Sequence, residues 1–410
     1  MGAAAVTEGR KPPDEASKVS AEEDLPERFS IVAGGAFHIL LGRLGLLEDD
    51  GLPGRRAAIG LALVAWVVPA LLVAAQSLLE SGYSGWDYFE DATVYARYLV
   101  SIYAMIVTER LADGRIVLLT RYFRDAGLLD VADRARFAAA VRAADRRSGS
   151  RTAELIILVF AVAWSVVNTR YSSLISAESW EGVATAGGNV ALSWAGEASA
   201  LTSNTLFLFL LLRWFWRFFL WAGLLRRAAA LDLQIMPLHP DRCGGLGFLA
   251  IFPGIFTGLV FALSCVIGAS LLKAAPVMGD SEQLVWFAIA TWLVLVALVF
   301  LGPLLVFVRP LYLARERAML EYGRLAHGHH KTFHRRWFGT DGTDLLGSPD
   351  PSSVSDLNAS VDNVYGMSLF PVDRSALVLL VGTAAVPLLV AAAFRMPMGD
   401  LLGAIINVIL

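Results

Sequence analysis

In the stretch 201–227, "LTSNTLFLFLLLRWFWRFFLWAGLLRR", two arginines, Arg213 and Arg217, interrupt a run that is otherwise almost wholly apolar and aromatic. About 20 such residues, coiled as a helix, cross the hydrocarbon core of a bilayer. Arg213 and Arg217 are four residues apart, so on a helix they share a face. Two registers are open. If the membrane core runs from about 204 to 224, Arg213 lies near its midplane, where a charge costs several kcal/mol unless it is paired or wetted. If the core runs from about 192 to 212, both arginines snorkel toward the interface and Trp214, Trp216 and Trp221 form an aromatic belt. That second register must bury Glu197 and several hydroxyl side chains instead. Either way, the block reads as a transmembrane helix that carries polar cost.

The same reading extends along the chain. Of 410 residues 56% are hydrophobic and 17% charged, against roughly 45–50% and 25% in soluble domains. The mean hydropathy is +0.58. Long apolar blocks occur at 57–79, 92–107, 152–167, within 192–225, and at 246–272, 284–308 and 375–394. They predict an all-α polytopic membrane protein of about seven transmembrane helices. Pro69, Pro253, Pro303 and Pro387 fall inside four of the blocks and predict kinks.

Basic residues orient the stack. Ten arginines lie between 110 and 151, whereas the first loop on the opposite side, "ESGYSGWDYFEDA" (80–92), has four acids and no base. The positive-inside rule then places the N-terminus in the cytoplasm and the C-terminus outside. Of 34 basic residues only Lys11, Lys18, Lys273 and Lys331 are lysines, a bias that suggests a GC-rich bacterial genome and hence a bacterial inner membrane.

Residues 1–27 lack the apolar core of a signal peptide and read as a disordered cytoplasmic tail. Residues 28–56, with His38 and Arg43 among apolar neighbours, read as an interfacial amphipathic helix. A six-helix region at 57–308 carries a cytoplasmic helical arm at 109–151. A charged cytoplasmic helix and a flexible linker follow at 309–374, and 375–410 adds the seventh span and a short apolar C-terminal helix.

The second block, "DATVYARYLVSIYAMIVTERLADGR" (91–115), is unusually polar and belongs inside a bundle. Arg97 lies in its outer half, and Glu109 lies near its inner end as a partner for Arg217. Glu154, early in the third block, is a further partner. Pore-lining or anion-binding roles are therefore expected for Arg97, Arg213, Arg217 and Glu109.

Reactive side chains also crowd into "PLHPDRCGGLGFL" (237–249). His239, Asp241 and Arg242 could hold a lipid phosphate, with backbone amides assisting. Alternate positions would make His239, Asp241 and Cys243 metal ligands, joined by His327, His329 and His330 from "HGHHKTFHRRW". The plainer reading is a tight turn, with Asp241 capping it and Pro and Gly residues supplying the bend.

The net charge of −3 excludes a strongly basic nucleic-acid binder, and two cysteines exclude a disulfide framework. No P-loop, dinucleotide fingerprint, zinc-protease helix or nucleophile elbow occurs, so no catalytic residue and no cofactor is expected. The favoured expectation is a channel or transporter, tilted toward anions because arginine is the main intramembrane charge. Its partners would be the lipid bilayer, small ions or solutes, and further copies of itself. The alternatives are an enzyme or binder of lipid headgroups at the inner leaflet, working through His239–Arg242, and a non-catalytic scaffold or sensor.

Overall fold

The computed structural model describes residues 29–80, 83, 85–175, 179–184, 190–274, 282–338 and 349–395. The expected N-terminal tail, the apolar 398–410 segment and the 339–348 part of the linker lie outside the described residues.

The protein is an all-α membrane protein. Among the described residues, five helices are long and apolar enough to cross a membrane: Arg55–Leu79, Arg151–Tyr171, Trp194–Ala228, Gln283–Phe338 and Arg374–Phe394. A sixth follows if Gly247–Ile255 and Thr257–Lys273, bent by 40° at their junction, make one span. The break follows Pro253 and Gly254, which weaken the helical ladder there.

The remaining expected span, 92–107, is helical but too polar to join that set. A short turn (Ala92–Val94) leads into a π-helical segment (Tyr95–Ser101) and then a long helix. In chain order we label the principal helices α1 (Gly35–Arg43), α2 (Arg55–Leu79), α3 (Ile102–Asp125), α4 (Val131–Ser148), α5 (Arg151–Ile175), α6 (Trp194–Leu201) and α7 (Ser203–Ala228). The second half continues with α8 (Thr257–Lys273), α9 (Glu282–Leu301), α10 (Val308–Phe338), α11 (Asp350–Tyr365) and α12 (Arg374–Arg395). A two-stranded antiparallel ribbon pairs Gly182–Ala184 with Val190–Leu192 ahead of α6.

α3 is the central helix. Ile102, Met105, Ile106, Glu109, Asp113 and Ile116 are buried as it packs on α2, α7 and α8. Its polar content is explained by that position, since polar side chains in a bundle face protein rather than lipid. The outer surfaces of α5 and α9 are correspondingly apolar, exposing Ile156, Val159, Phe160, Phe287 and Leu298. α8 and α12 approach so closely that a Cβ at Gly268 would come within 3.1 Å of the Pro387 carbonyl oxygen. Small residues permit this backbone proximity, as is usual between membrane helices.

Two expectations need correction. Residues 28–56 do not form one interfacial helix. Gly35–Arg43 is a short helix, Arg55 and Arg56 already open α2, and Phe29, Ile31, Val32, Phe37 and Leu41 insert into the main core. Gly34 and Gly35 adopt φ of 103° and 85°, which ends any regular helix and turns the chain inward. The segment expected as a flexible linker is, from Asp350 to Tyr365, the helix α11 packed on α10. Val354, Leu357, Val361 and Val364 form its less exposed stripe, and Val364 is fully buried. Arg336 and Trp337 reach Asp350 at 2.8 and 3.2 Å, and Arg315 donates to the Tyr365 carbonyl at 2.6 Å.

Candidate functional site

Four charged side chains from three helices meet inside the bundle. Arg213 and Arg217 come from one face of α7, Glu109 from α3 and Glu154 from the first turn of α5. All four are between 1% and 5% exposed. Both registers open for α7 carry a polar cost, and here protein meets it, because the two guanidiniums are buried against neighbouring helices. The helix turns its guanidinium face toward α3 and α5, not toward lipid or water.

One oxygen organises the cluster. Glu109 Oε1 accepts from Arg217 Nη1 at 2.7 Å and from Arg213 Nη1 at 3.3 Å. Arg213 Nε also lies 3.1 Å from Glu154 Oε1. Two guanidiniums thus face two carboxylates, so the group carries no net formal charge. This is the condition under which charges persist in a low-dielectric interior. The rings of Phe37 and Phe209 flank the Arg213 guanidinium carbon at 4.7 and 5.7 Å, placing a cation against π faces.

Residues 30–37, which lead into the first turn of α1, close over this cluster. Phe37 N donates to Glu154 Oε2 at 3.0 Å, and Arg217 Nη2 donates to the Val32 carbonyl at 3.4 Å. Ser30 Oγ donates to Asp113, one turn beyond Glu109 on α3, and accepts from Ala33 N at 2.8 Å. Ser148 Oγ donates to the Ile31 carbonyl at 2.6 Å. Gly35 is required here by space as well as by φ, because a Cβ would stand 2.5 Å from the Glu154 carboxylate. Ser30, Phe37 and the Gly34–Gly35 pair were not singled out from the sequence. The available signal was "AGGAF" (33–37), a double glycine inside an otherwise apolar run.

Arg97 does not join the cluster. It is half-buried on the π-helical segment, 12 residues before Glu109, or about 18 Å along the helix at 1.5 Å per residue.

The 237–249 loop is organised as a capped turn. Asp241 accepts from the backbone N–H of Cys243 at 2.8 Å, Gly245 at 3.2 Å and Gly247 at 2.7 Å, and its Oδ1 lies 2.9 Å from His239 Nδ1. Burial alone would raise the Asp241 pKa, but these hydrogen bonds outweigh it and hold the carboxyl below its usual range. The amides that could have cradled a phosphate are therefore already taken by Asp241. Arg242 is exposed with φ of 55°, and its carbonyl accepts from Ser368 N at 2.6 Å.

The metal candidates are not assembled either. Cys243 is buried, with Sγ 3.8 Å from the Phe370 carbonyl, and burial pushes its thiol pKa up, away from the thiolate a metal needs. His327 and His330 are exposed on α10, and His329 lies 3.2 Å from Ser353 of α11. Among the described residues, no group of three or more His, Cys, Asp or Glu side chains is placed to hold a metal ion.

Compared with protein families, with curated proteins and with solved structures, the chain gives no match. What the geometry itself supports is a multi-pass helical membrane protein with a buried, charge-balanced cluster of two arginines and two glutamates.

Proposed function

We propose that the protein is a membrane channel or transporter for small anions, held closed in this conformation by the carboxylate of Glu109. The observation that carries the reading is the single oxygen shared by Arg213 and Arg217. A site in which two guanidinium forks converge on one oxyanion is an anion site, and Glu109 is its resident anion. A mobile anion competes for the same donors when the carboxylate swings out.

The segment 29–37 then acts as the stopper over the site, since it bonds to Glu154, Arg217 and Asp113 at once. Arg97 serves as a separate cationic station toward the outer side. In this reading the polar 92–125 helix is the seventh crossing. The N-terminus is cytoplasmic, the C-terminus is external, and the protein resides as a homo-oligomer in a bacterial inner membrane. The reading is supported by the cost of the arrangement, because four charges are not placed inside a membrane bundle for packing alone.

The test is anion efflux from liposomes containing the purified protein. Flux of a small anion is expected from the unmodified protein or from Glu109→Gln. It should be lost in Arg217→Ala and unchanged in His239→Ala. Absence of flux for every common anion, in both the unmodified protein and Glu109→Gln, overturns the reading.

A further inference from the structure

A groove of about 330 Å³ lies beside the charged cluster, between α1, α5 and α7. Phe37 and Leu40 form one wall, Leu155 and Leu158 a second, and Leu206 and Phe209 the third. Leu40, Leu155 and Leu158 are exposed toward the outside of the bundle. Because α5 and α7 belong to helices apolar enough to span a membrane, the slot opens sideways onto lipid.

Its polar groups are mostly committed elsewhere. The Glu154 oxygens are held by Arg213 Nε and Phe37 N, and the hydroxyls of Thr202 and Thr205 donate to the carbonyls of Ala198 and Ala200. What remains along the walls is hydrocarbon. One end differs: Arg151, exposed at the start of α5, lines the mouth. The last turn of α4 brings Arg146 and Arg147 to the preceding residues. The short link between the two helices touches α1, since a Cβ on Gly34 would meet Gly149 Cα at 3.2 Å.

We propose that this groove takes one acyl chain of an anionic glycerophospholipid, with its phosphate at Arg151. An apolar slot with an arginine, Arg151, at its mouth matches an amphiphile with an anionic head in both shape and charge. The lipid chain would pack on Phe37 and Phe209, the two rings that flank the Arg213 guanidinium. Occupancy of the groove is thereby coupled to the charged cluster. The site is separate from the 237–249 loop and does not depend on whether the protein conducts anions.

The experiment uses the full-length protein in phosphatidylcholine vesicles containing a trace of phosphatidylglycerol with a photoreactive group in its acyl chain. Labelled positions are mapped by mass spectrometry. The expected result is labelling of 36–40 and 155–158 at least threefold above the outward surfaces of α9 and α12. A phosphatidylcholine probe should label the groove at least threefold less. Arg151→Gln should reduce the phosphatidylglycerol signal to the phosphatidylcholine level, and Leu158→Trp, which fills the slot, should abolish both. If Leu158→Trp does not fold, Leu155→Trp on the neighbouring turn takes its place. Uniform labelling of all outward helices, equal labelling by the two headgroups, or undiminished labelling of the filled variant overturns the proposal. Labelling is read without any flux measurement, so a labelled groove in a non-conducting protein retains this site and removes only the channel reading.

Discussion

Glu109 and Arg217 meet at 2.7 Å in the interior, and removing either leaves a charge that neither water nor lipid can solvate. Arg217→Leu is expected to cost about 3–5 kcal/mol, because Arg213 is left alone to face both Glu109 and Glu154 and the buried cluster keeps an uncompensated negative charge. The double replacement Glu109→Leu with Arg217→Leu should cost less than the sum of the two single changes, because Arg213 retains Glu154. Denaturant unfolding of the purified variants in detergent measures both. Asp241 gives a second prediction at this scale. Its folded pKa is depressed, so its stabilisation is present above the unfolded value near ~3.9 and is lost as pH falls through the folded value. Amide exchange at Cys243, Gly245 and Gly247 should therefore accelerate in acid relative to the intrinsic rate. In Asp241→Asn that protection should be reduced at neutral pH and should not fall further in acid. The four charges of the cluster were legible in the sequence because charge inside an apolar block demands a partner. The contact of Phe37 N with Glu154 was not, since it joins residues 117 apart and leaves no local pattern.

At the scale of elements, sequence patterns worked where one helix face decides the outcome and failed where composition was averaged. The block 91–115 was legible as an interior helix, because its tyrosines, Arg97 and Glu109 leave it little purely lipid-facing surface. Its π-helical turn at Tyr95–Ser101 was not, since no residue type there requires the wider turn. In 350–365 the Ser, Asp and Asn content resembles a linker, while Val354, Leu357, Val361 and Val364 stand at helical spacing and decide the outcome. The consequence is testable. Val364 is fully buried, so Val364→Asp places an unpaired charge in the contact with α10. It should release α11, raising amide exchange across Asp350–Tyr365 by at least tenfold while α2 and α8 stay protected. If exchange across α11 does not change, its packing on α10 is not what holds it folded.

For the whole molecule, the bundle is apolar on its outer faces and mostly apolar within, and α3 supplies several of the few buried polar side chains, Thr108, Glu109, Asp113 and Thr120. Mean hydropathy and block lengths carried the membrane-spanning plan openly. Closure of the bundle by residues 29–43 was hidden, because an apolar segment with a few polar residues reads equally as an interfacial helix or as a plug. Only the double glycine that folds it back distinguishes the two. The central claim is that the Glu109 carboxylate occupies a site made for a mobile anion. The direct measurement is chloride efflux from liposomes bearing Glu109→Gln beside the unmodified protein, at matched protein density. Loss of charge-assisted hydrogen bonding worth about 1.5–3 kcal/mol predicts a rise in flux of about ten- to a hundredfold. Flux that is unchanged or lower in Glu109→Gln, with the variant folded, contradicts the account.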